Sequence, residues 1–78
     1  MTREELVRRL QEAALTEEMA IPIYAQHLPK TLFWSRLPEK DIDFIKAGLS
    51  RLSADSSRHR AALELLAKTV SEAKRDVF

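Results

Sequence analysis

A chain of 78 residues, 45% apolar and without cysteine, has room for one small domain and excludes disulfides, thiolate metal sites and a cysteine nucleophile. Its net charge of +1, from 13 basic and 12 acidic residues interspersed along the chain, gives no electrostatic reason to expect nucleic acid or an anionic membrane as partner. No apolar run approaches the roughly 18 residues of a membrane span. The charged N-terminus does not read as a signal peptide, so the expected location is the cytoplasm, either free or inside a protein compartment.

The first predicted element is a helix over about 3–28. Thr2-Arg3-Glu4-Glu5 has capping-box spacing, with the Thr2 hydroxyl placed to accept from the backbone of Glu5. Pro22 lies inside this span, removes the bond to the Glu18 carbonyl and costs roughly 3 kcal/mol in a regular interior. The apolar stripe keeps its phase through Tyr24 and Leu28, which favours a kinked continuous helix over a break near Ile21. Pro29 should stop it.

Residues 29–38 form the connection, and Phe33 and Trp34 within it are expected to close one end or fill a subunit contact. A second helix is expected over about 39–76. Pro38 suits its first turn, Glu39, Asp41 and Asp43 suit its N-terminal dipole, and Lys74 and Arg75 suit the other end. Gly48 and the run 53–57 are the weak points where it should bend. The fold class is all-α, an antiparallel two-helix hairpin forming one domain over 1–78. A chain of this size buries only about 60% of its unfolded surface and a hairpin less, so self-association is expected.

The seams carry the informative residues. The first helix reads Leu6, Leu10, Ala13, Glu17, Ala20, Tyr24, and the second reads Ile42, Ile45, Leu49, Leu52, Ser56, His59, Leu63, Leu66, Val70, Ala73, Val77. Such stripes face a partner helix, yet Glu17, Tyr24, Ser56 and His59 are polar. A carboxylate there loses hydration unless something compensates, and either a metal ion or a basic side chain from a neighbouring chain would do so.

Glu17 with His59 offers an oxygen and a nitrogen donor, a combination suiting iron, manganese or zinc over magnesium or calcium. Asp55, four residues before His59, shares its face and is a further candidate ligand. Tyr24 and Ser56 would orient the carboxylate or a bound water. Glu18 reads as a solvated neighbour and His27 as a residue near a helix C-terminus; both are minor candidates.

The segment Glu17-Glu-Met-Ala-Ile-Pro-Ile-Tyr24 resembles the first-helix signature of the ferritin-like superfamily of di-iron carboxylate proteins. The segment Leu52-Ser-Ala-Asp-Ser-Ser-Arg-His59-Arg-Ala-Ala-Leu63 resembles the second-helix stretch that normally carries Glu-x-x-His. With two helices in place of four, the chain is similar to the half-ferritins, which include encapsulated ferritins and rubrerythrin-like proteins. The resemblance implies a homodimer rebuilding a four-helix bundle, with iron bound by Glu17, His59 and Asp55 at the subunit interface for ferroxidase-type oxidation of Fe(II) or its sequestration.

The chain departs from that pattern where Ser56 stands at the glutamate position, which implies a weaker, single-metal or vestigial site. No encapsulin-targeting tail is recognisable over 71–78. The competing expectation is a metal-free dimerisation module whose seam polars fix register and oligomer state.

Overall fold

In the computed structural model, which describes residues 1–77, the described residues are helical throughout apart from short connections and contain no strand. Helix α1 spans Arg3–Pro22. A π-helical turn, Ile23–His27, carries it directly into α2, Leu28–Phe33. After a connection over 34–38 the long helix α3 spans Glu39–Ser71.

Thr2 caps α1, its hydroxyl accepting from the Glu5 N–H at 3.1 Å, while Glu4 and Glu5 complement the dipole. Pro22 has no N–H to offer the Glu18 carbonyl, and the chain continues by widening into the π turn that follows it, closed by the Leu28 N–H donating to the Ile23 carbonyl. Pro29 therefore does not end the helix. It stands in the first turn of α2, where a missing N–H is tolerated, and the helix ends five residues beyond the expected Leu28.

The end of α2 is held by Trp34 donating its N–H to Thr31 and by the Ser35 hydroxyl donating to the Leu32 carbonyl at 2.7 Å. At the far end α3 stops at Ser71, short of the expected 76, with the Ser71 hydroxyl donating to the Lys68 carbonyl. Neither Gly48 nor the serine-rich run 53–57 interrupts it.

Helices α1 and α3 lie side by side, and residue order along one runs opposite to residue order along the other. Arg3 meets Ala73 and Asp76, while the middle of α1 meets the middle of α3 through Glu17 and His59. The molecule measures 56 × 14 × 14 Å. Its radius of gyration of 17.4 Å compares with about 11.5 Å for a compact domain of this length. A rod two helices thick has little interior: among the described residues only Ala14, Leu49, Ser56 and Ala67 are buried, and no side chain is fully so. Small residues at three of those four places let the helices approach closely.

The contact seam differs from the expected stripes by one step. On α1 it takes Val7, Leu10, Ala14, Glu17, Ile21 and Tyr24, so Ala14 is buried where Ala13 was expected and Ala13 is exposed. On α3 it takes Ile45, Leu49, Ser53, Ser56, Arg60, Leu63 and Ala67, leaving Leu52 (45% exposed) and Leu66 (51%) outside it. An apolar stripe spanning more than about 100° is wider than one partner helix can cover. The exposed surplus is spread around the rod: Leu52 and Leu66 on one flank of α3, Phe44 and Leu65 elsewhere on it, and Leu15 and Met19 on α1.

Candidate metal centre

Glu17 projects from the middle of α1 between Ala14 and Ile21, one turn from each along the seam. His59 projects from the middle of α3, just outside the seam residue Arg60. The Glu17 Oε1 atom stands 3.5 Å from His59 Nδ1, with the carboxylate side chain 29% exposed and the imidazole 62%. The distance exceeds the 2.7–3.2 Å or so of a good N–H···O bond. It is close to the separation of two donors on one ion, about 3.4 Å for bonds of about 2.1 Å at a tetrahedral angle. An open carboxylate–imidazole contact of this kind contributes about 0–1 kcal/mol to stability.

The pair lies beside part of this surplus, on the flank of α3 that also carries Leu52 and Leu66. Leu52, His59 and Leu66 follow one another at seven-residue intervals, each immediately before a residue packed on α1 (Ser53, Arg60 and Ala67). Elsewhere along the rod, Val7, Gln11, Glu64, Ala67, Lys68 and Ser71 line one shallow groove, and Tyr24, Ala25, Pro29, Lys46, Ser50 and Ser53 line another.

The other candidates are placed as follows. Asp55 is half-buried and is engaged by the guanidinium of Arg58, three residues along the same helix. Ser56 is buried in the seam against α1 and is a packing residue. Tyr24 lies two helical turns, about 10 Å, from Glu17; it lines the groove with Lys46 and Ser53 and has no hydrogen bond to Glu17 among the described residues. Glu18 is exposed on the next face of α1. His27 ends the π turn with its side chain exposed and its carbonyl accepting from the Thr31 hydroxyl at 3.1 Å.

Among the described residues no group of three or more His, Cys, Asp and Glu side chains is arranged to hold an ion. The donors of one chain therefore do not fit a two-metal carboxylate centre, which needs several bridging carboxylates. One chain brings together one oxygen and one nitrogen donor, Glu17 and His59.

Two features escape sequence reasoning. Arg60 was assigned to neither seam, yet its stem packs there and its Nε is buried without a hydrogen-bond partner among the described residues. The segment after α3 folds back on the N-terminus: the Arg3 N–H donates to the Asp76 carbonyl at 2.8 Å, and the Arg3 guanidinium donates to the Ala73 carbonyl at 2.6 Å. Thr2 and Val77 complete this lock as an isolated antiparallel bridge. Comparison with protein-family models, with curated proteins and with solved structures gave no match, so the ferritin-like resemblance rests on the quoted residues alone.

Proposed function

We propose that the chain is a ferritin-like metal-binding protein: a helical hairpin, two copies of which associate as a four-helix bundle with Glu17 and His59 of each holding iron at the subunit interface. The observation carrying this reading is the 3.5 Å approach of Glu17 Oε1 to His59 Nδ1, too long for a good hydrogen bond and suited to a shared ion. Both groups are partly exposed, so a partner lying beside Leu52 and Leu66 would enclose them. Iron is the expected cargo, taken up as Fe(II) and either oxidised or sequestered; manganese and zinc suit the same donors.

Elemental analysis of untreated protein, repeated on a Glu17→Ala/His59→Ala double variant, tests the claim. Metal retained by the native chain and lost from the folded double variant supports it, and metal at background in both ends it. Addition of Fe(II) under anaerobic conditions followed by air tests the oxidation. A rate no faster than buffer removes that activity and leaves binding in place.

A second reading is a metal-free dimerisation module. It is favoured by Glu17 and His59 already partnering each other within one chain, so that the pair sets the register of the two helices. Under it, replacing both by leucine raises the melting temperature and leaves association intact.

A further inference from the structure

We propose that the groove beside the π turn is a binding site for a small phosphate monoester, with Lys30 and Lys46 on the phosphate and Phe33 against the organic part. The site lies apart from Glu17 and His59 and does not rest on the metal-binding reading.

Two adjoining hollows form the groove, with the π turn and α2 on one side and α3 on the other; Pro29 and Lys46 line both. Its polar lining consists of groups that can donate: the amines of Lys30 and Lys46, the Gln26 amide, and the hydroxyls of Tyr24, Ser50 and Ser53. No carboxylate lines either hollow, and none stands within 4 Å of either amine among the described residues. The hydroxyls of Tyr24, Ser50 and Ser53 also have no hydrogen-bond partner among the described residues, whereas those of Thr16, Thr69 and Ser71 bond back to helix carbonyls. Tyr24 and Gln26 belong to the π turn, a form of helix found frequently at functional sites.

The grooves at the other end of the rod differ. Lys68 there shares its hollow with Glu64, and Arg3 and Arg8 share theirs with Glu4, so a carboxylate offsets the cations. At the π turn the positive charge is left for a ligand. A phosphate monoester carries about −1.5 to −2 at neutral pH and three acceptor oxygens, which matches two ammonium groups beside a row of neutral donors. Phe33 lines the same hollow as the two amines with its side chain 76% exposed, so an apolar group joined to the phosphate can cover the ring. That hollow measures about 430 Å³, the size of a small-ligand site.

Heteronuclear NMR on the full chain tests this, with inorganic phosphate and phenyl phosphate as probes and sodium chloride at matched ionic strength as control. Saturable shifts confined to residues 24–33 and 46–53 are expected, with phenyl phosphate the tighter ligand. Lys30→Gln and Lys46→Gln should each weaken phenyl phosphate about fivefold, and the double variant should lose it. Lys68→Gln should bind it as the native chain does. Phe33→Ala should remove the preference for phenyl phosphate and leave inorganic phosphate unaltered. All four positions are exposed, so these variants should keep native helicity by circular dichroism.

Shifts reproduced by chloride, shifts spread over all the basic residues, or unaltered affinity in the Lys30→Gln/Lys46→Gln variant would overturn the proposal. So would binding that disappears once the protein has passed over a chelating resin, since a metal ion would then be holding the phosphate. Equal affinity for the two probes would overturn the role of Phe33.

Discussion

Gly48 lies in the interior of α3, one turn before Leu52 on the same flank, and its backbone is helical without a positive φ. A methyl group added at its Cα would meet nothing within 4 Å. Gly48→Ala thus changes only the conformational freedom of the unfolded chain and the helix propensity, which together are worth about 0.8–1.0 kcal/mol at an unstrained helical site. With an unfolding entropy of roughly 2.1 cal/mol/K per residue, a chain of 78 residues loses about 0.16 kcal/mol of stability per degree near its midpoint. The substitution should raise Tm by about 5–6 °C. Far-UV circular dichroism during heating, at matched protein concentration, measures this directly. An unchanged or lowered Tm at equal helicity would refute the reasoning, and would mean that something in the assembled protein approaches the Gly48 backbone more closely than one chain does.

Three further outcomes are expected. Thr2→Ala removes the hydroxyl that caps α1 and should cost about 1 kcal/mol, read as a lower Tm; a loss under a third of that would mean water replaces the cap. Arg3→Ala removes the donor to the Ala73 carbonyl and the partner of Asp76, and should cost about 1 kcal/mol. Hydrogen exchange should then speed up at residues 72–77 with little effect at Leu49; equal acceleration at both would show that the ends are no separate unit. Arg58→Ala frees Asp55 and removes a cation near His59, so Co(II) should bind more tightly by calorimetry; weaker binding would place Arg58 in support of the site instead.

The helical plan was legible because its signals are local. The Thr2 cap, the acidic first turns and the start of α3 at Glu39 each depend on a few adjacent residues. The proximity of Glu17 and His59 was legible too, since both interrupt apolar stripes near the middle of their helices.

What was not legible depends on geometry between helices. Pro29 looked like a terminator because the π turn after Pro22, which shifts the phase of everything beyond it, leaves no mark on apolar spacing. The one-step change from Ala13 to Ala14, and from Leu52, His59 and Leu66 to Ser53, Arg60 and Ala67, reflects a choice among residues of one wide stripe. Close approach favours the smaller side chain at Ser53 and Ala67, while the same rotation brings in Ala14 and the stem of Arg60, and propensity is blind to it. Asp55 shares a face with His59 as expected, but the reach of Arg58 across one turn decides its partner. The fold-back of Asp76 and Val77 onto Arg3 and Thr2 joins positions more than seventy residues apart, and no periodicity encodes it.

That fold-back brings the first and last described residues to the same tip of a 56 Å rod, while Phe33 and Trp34, in edge-to-face contact at 5.3 Å, occupy the other. Labels on residues 2 and 77 consequently share one pole. Dyes placed at those two positions would report a short separation, and one placed beside Trp34 would report nearly the full span of the molecule.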